Sequence, residues 1–122
     1  MKMISPKIHG VIDYTVVAFL WLSPLLFSFT DLVSILTYGL GFIHLMLTVF
    51  SDFPLGLYKI LPFKFHGIAE LIVSIILIAS TLFINLSEVE QIFYFFFGIA
   101  VFFTWLLTDY NMKHDDSTYI LK

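Results

Sequence analysis

HGVIDYTVVAFLWLSPLLFSF, the run His9–Phe29, carries a single carboxylate and a single imidazole in 21 residues. A helix of that length rises about 30 Å, the thickness of a bilayer's hydrocarbon core. Three more runs have the same character, roughly Leu32–Ser51, His66–Leu86 and Gln91–Thr108. Apolar residues are continuous along each run rather than alternating, which excludes the strands of a membrane barrel. With no water in lipid to satisfy open backbone, helices are what remains. The expected fold is therefore an all-α membrane protein with four transmembrane helices.

The composition agrees. Of 122 residues 60% are hydrophobic and 12% charged, and mean hydropathy is +0.99. A soluble domain carries about twice that charge, so the excess apolar surface calls for lipid as solvent. The first run is too long for a secretory leader and no small-x-small site follows it, so it is expected to stay as an anchor. Cysteine is absent, which removes disulfides and thiolate ligands. A net charge of −3 without arginine argues against nucleic acid as a partner.

Lysines sit at positions 2 and 7, 59 and 64, and 113 and 122, while the other two connections carry only acids, Asp31 in one and Glu88 with Glu90 in the other. Short lysine-bearing loops stay cytoplasmic, so both termini and the central loop are expected inside.

Sliding the chain on itself by 57 positions aligns it without a gap from Lys2 to Asp109. Lys2 then meets Lys59, His9-Gly10 meets His66-Gly67, Asp13 meets Glu70, Gly41 meets Gly98, and Asp52 meets Asp109. Polar matches at one constant offset are harder to obtain by chance than apolar ones. The reading is two tandem two-helix hairpins, residues 1–57 and 58–110, followed by a cytoplasmic polar tail over 111–122. Both hairpins begin on the same side, so a pseudo-twofold axis along the membrane normal should relate them.

At Trp21-Leu22-Ser23-Pro24-Leu25-Leu26-Phe27-Ser28-Phe29 the first hairpin resembles the SPW-repeat family of small bacterial integral membrane proteins. His9-Gly10-Val11-Ile12-Asp13-Tyr14 is similar to the opening of such chains. Leu25 stands where the family has Trp and Ser28 where it has Gly. In the second copy only Ser80 of the signature survives. The resemblance implies the two-hairpin layout and a bacterial cytoplasmic membrane, and it implies no particular activity.

Ionisable side chains within spans are costly and mark functional sites by default. His9 and Asp13 lie one helical turn apart, as do His66 and Glu70, while Asp52 and Asp109 close the second and fourth spans at the same face. These six residues form the candidate metal or proton cluster, at the cytoplasmic end of the bundle. Helix-stapling ion pairs would use the same residues. His44 is a secondary candidate, mid-span on a stripe with Thr37, Gly41, Thr48 and Ser51 that reads as a helix contact. A metal ion or haem enters as an alternative to no cofactor. The tail's His114-Asp115-Asp116 reads as a solvated end.

No nucleophile–base pair, phosphate-cradling glycine loop or cationic clamp is visible, so an enzyme is not expected. The leading expectation is a packing or accessory module of a membrane complex or homo-oligomer. The alternative is a metal-, proton- or haem-handling protein using the cluster.

Overall fold

The computed structural model describes residues 2–111, so Lys113, Lys122 and the His114-Asp115-Asp116 reading lie outside the described residues. Four helices follow one another: α1 (Pro6–Leu26), α2 (Asp31–Phe50), α3 (Phe63–Phe83) and α4 (Glu88–Leu107). All four are long and apolar enough to cross a membrane. Large apolar side chains cover the outside of the bundle, Leu25 (78% exposed), Ile35 (67%) and Phe96 (64%) among them. A surface this apolar needs lipid around it.

Helices α1 and α3 each begin three residues before the expected spans, at Pro6 and Phe63 rather than His9 and His66. For α1 the cause is local. Ser5 caps the helix by accepting the Ile8 N–H at 3.3 Å, and Pro6 occupies the first turn, where a missing N–H costs nothing. The shift places each histidine a full turn inside its helix. At its other end α1 stops at Leu26, two residues beyond Pro24, and Ser28 turns the chain with a φ of 52°. Helix α4 opens with a capping box between Ser87 and Glu90. Thr30 caps α2 without a side-chain bond, and its own N–H donates to Glu90 across the bundle at 2.5 Å.

Within each hairpin the helices pack closely, α1 on α2 and α3 on α4, and the hairpins meet more loosely. Glycines permit the close approach: a Cβ on Gly41 would stand 2.6 Å from Trp21 Nε1, and one on Gly98 2.8 Å from Ile78 Cγ1. An apolar cluster of Phe29, Val33, Leu77 and Tyr94 fills the lysine-free half. Of the polar stripe on α2, Thr37, Gly41, Thr48 and Ser51 are buried.

At the lysine-bearing end the chain leaves α2 and α4 in extended form. Ser51–Asp52 (β1) pairs in parallel with Leu61–Pro62 (β2), just ahead of α3. Thr108 likewise bridges to Ile4, just ahead of α1. Each hairpin's last residues are thus tied to the lead-in of the other.

Candidate metal centre

Four side chains converge one to two turns inside this end. His9 and His66 are both 0% exposed, with Asp13 at 1% and Glu70 at 3%. One ligand atom from each of the four can be chosen so that all lie within 4.8 Å of one another. His9 Nε2 stands 3.2 Å from Asp13 Oδ1, 3.2 Å from Glu70 Oε2 and 3.3 Å from His66 Nε2. His66 Nε2 is 3.1 Å from Asp13 Oδ2 and 3.6 Å from Glu70 Oε1. Ligands about 2.0–2.1 Å from a tetrahedral ion are separated by about 3.3 Å. The histidine-to-carboxylate distances are close to that value, with each histidine meeting a different oxygen of each carboxylate, so the four residues could hold a metal ion.

The remaining ring nitrogens decide the protonation pattern. His66 Nδ1 meets Ser51 Oγ at 2.8 Å, and His9 Nδ1 meets Thr108 Oγ1 at 2.8 Å. Each hydroxyl has already donated its proton, Ser51 to Leu47 O at 2.5 Å and Thr108 to Thr104 O at 2.6 Å. Both hydroxyls must therefore accept, and both imidazoles carry their proton on Nδ1. The network thus puts a proton on both Nδ1 atoms and turns both Nε2 atoms toward each other and toward the two carboxylates.

His44 joins from deeper in α2. Its Nε2 lies 3.3 Å from Asp13 Oδ1 and 4.0 Å from Glu70 Oε1. Sequence reasoning set it apart as a mid-span contact residue, yet a turn of helix brings it onto the same carboxylates. Thr48 also contacts Asp13 Oδ2, at 3.4 Å.

Asp52 and Asp109 stay outside this group of four. In the extended segments beyond α2 and α4 side chains alternate between faces. Ser51 and Phe53, both 0% exposed, take the inward face, and Asp52 falls between them, half-buried on the other side. Thr108 is likewise inward, while the Asp109 carboxylate accepts the Asn111 N–H at 3.0 Å. Reading the spans as helical through Ser51 and Thr108 had carried these aspartates to the site. The strand-like exit delivers the hydroxyls instead.

Sequence reasoning also missed the aromatic cover. Phe53 and Phe63 stack at 4.9 Å, and His9 meets Phe63 edge-on at 5.4 Å. Tyr110 donates its hydroxyl to Glu70 Oε2 at 2.9 Å. Burial and the neighbouring Glu70 charge push its phenol above the usual range, so it remains a donor. Gly10 and Gly67 make room for the cover: a Cβ would stand 2.7 Å from Leu55 Cβ at the first and 2.8 Å from the Tyr110 ring at the second.

Haem does not fit between the paired histidines. Axial nitrogens on opposite faces of a macrocycle stand about 4 Å apart, given metal–nitrogen bonds of about 2 Å. Here the two Nε2 atoms are 3.3 Å apart and flanked by carboxylates.

Comparison with known families, with curated proteins and with solved structures finds no match to this chain.

Proposed function

We propose that this is a metal-binding integral membrane protein that holds one divalent transition-metal ion on His9, Asp13, His66 and Glu70. The observation that carries the proposal is the pair of facing Nε2 atoms, 3.3 Å apart, whose Nδ1 protons are committed to hydroxyls that can only accept. Two neutral imidazoles and two carboxylates sum to −2, which one divalent ion cancels. Two protons on the Nε2 atoms, each 3.1–3.2 Å from a carboxylate oxygen, would balance the same charge, and the metal analysis below separates the two readings. Nitrogen and oxygen donors of this kind suit zinc and ferrous iron better than calcium or magnesium. A packing role in a larger complex or homo-oligomer explains the apolar exterior but not this arrangement of donors.

The tandem-hairpin reading belongs to the same proposal, and contacts at the 57-residue offset support it. His9–Thr108 and His66–Ser51 are the same contact with the hairpins exchanged, as are Ile4–Thr108 and Leu61–Ser51. Tyr94 donates to Thr37, its own counterpart at that offset, at 2.8 Å. The ion would then lie on the pseudo-twofold axis. The lysine distribution favours this end, with both termini, in the cytoplasm, and the resemblance to the SPW-repeat family favours a bacterial inner membrane.

Metal analysis of detergent-purified protein tests the proposal. One zinc or iron per chain is expected after dialysis against the metal, falling to background in His9→Ala and His66→Ala. Folded wild-type protein that retains no ion would overturn it.

A further inference from the structure

The centre is closed toward the lysine-bearing end by Phe53, Phe63 and Tyr110, and it is open on the other side. Two clefts reach it from the membrane core, one of about 100 Å³ between α1 and α4 and one of about 90 Å³ between α2 and α3. They are the two seams between the hairpins, where packing is loosest. Ile12, Val16, Ala100 and Thr104 line the first; Ala69, Val73, Ile43 and Leu47 line the second. Those two sets are the same positions 57 residues apart. Glu70 and His44 border both clefts, and Asp13 borders the first.

We infer that the bound ion takes, as a further ligand on its membrane-core side, a small uncharged molecule of a few atoms arriving from the lipid through these seams. The inference rests on the metal-centre reading above. Size follows from the clefts, each holding the volume of about three waters, which limits the ligand to about three non-hydrogen atoms. Lack of charge follows from their walls, because an ion crossing apolar side chains in a bilayer has no compensating partners. Coordination allows it when the ion is ferrous iron, because that ion accepts up to six ligands and the protein supplies four. His44 stands where the opposite wall has Val101, so a polar group flanks the incoming ligand on one side only.

Nitric oxide is the probe. Full-length protein loaded with Fe2+ without oxygen should form a ferrous–nitrosyl species, read by absorption and electron paramagnetic resonance. Ala69→Leu with Ala100→Leu, which narrows both seams, should keep one iron per chain and slow nitrosyl formation at least tenfold. Ala69→Trp with Ala100→Trp should slow it further, and iron content reports that each variant is folded. Iron-loaded protein that forms no nitrosyl would overturn the inference and leave the metal centre standing. An unchanged rate in both narrowed variants, with acceleration in Tyr110→Ala, would put access at the lysine end and overturn it too. Failure to bind iron, zinc or any other divalent ion would overturn both readings together.

Discussion

At the scale of single residues, two hydroxyls hold the centre in order. Ser51→Ala or Thr108→Val leaves a buried Nδ1–H without its acceptor, costing about 1–3 kcal/mol. Loss of a ligand's orienting partner typically lowers metal affinity about 10–100-fold. Each variant should therefore bind zinc about 10–100-fold more weakly in a competition titration, with helix content by circular dichroism unchanged. Unaltered affinity in both would show that the histidines are oriented by packing alone. The sequence displayed the histidines and the two inward carboxylates plainly, through their spacing of four and their repetition. It concealed the hydroxyls, because Ser and Thr at the end of an apolar run look like ordinary helix-end residues. Their pairing at the 57-residue offset was the available signal. It also concealed Tyr110 and Phe53, because an extended exit cannot be told from one more turn of helix by hydropathy.

At the scale of elements, a glycine lets the helices of each hairpin approach, and at the lysine-free end a buried carboxylate links the two hairpins alongside the apolar cluster and the Tyr94–Thr37 bond. Gly41→Ala drives a methyl into the Trp21 ring, which now donates from Nε1 to Tyr38 O at 3.2 Å. Overpacking of this kind costs about 1–3 kcal/mol. Lower thermal stability and altered tryptophan fluorescence are expected together. Glu90 is 1% exposed and accepts from Ser87 N at 2.9 Å and from Thr30 N of the other hairpin. Glu90→Ala should destabilise by about 0.5–2 kcal/mol as a lost cap alone, and by more if the link across the bundle matters. A double-mutant cycle with Thr30→Pro, which lacks the donor, separates the two contributions. Helix number and type were legible because four long apolar runs admit no other element. The starts of α1 and α3 were not, since Pro6 and Phe63 extend each helix through residues that hydropathy counts as loop.

For the whole molecule, binding to the folded state alone raises stability by mass action. Zinc at about a hundred times its dissociation constant should add about 2.7 kcal/mol, and a chelator should remove it. The gain should shrink as pH falls, because protons compete for ligands that bind metal only when deprotonated. A thermal transition indifferent to both zinc and chelator would count against the centre. Topology is testable separately: reporters at Asp31 and Glu88 should read outside and one at Lys59 inside. One inverted reporter would break the orientation drawn from the lysines.

The contact between His9 and Thr108 joins residues 99 apart in the chain. A ribosome adding about 5–20 residues per second reaches Thr108 about 5–20 s after His9. Throughout that interval α1 is in or near the bilayer with its imidazole unsupported, as the residue that fixes its tautomer has not been made. Every ligand precedes Thr108 in synthesis, so the hydroxyl that orients His9, like the Tyr110 hydroxyl on Glu70, arrives only after the full ligand set. On the proposed metal-binding reading, acquisition would wait until both hairpins have been inserted and have closed on each other. Nascent chains arrested before Thr108 should consequently retain far less metal than chains released a few residues later, even though both contain all four ligands.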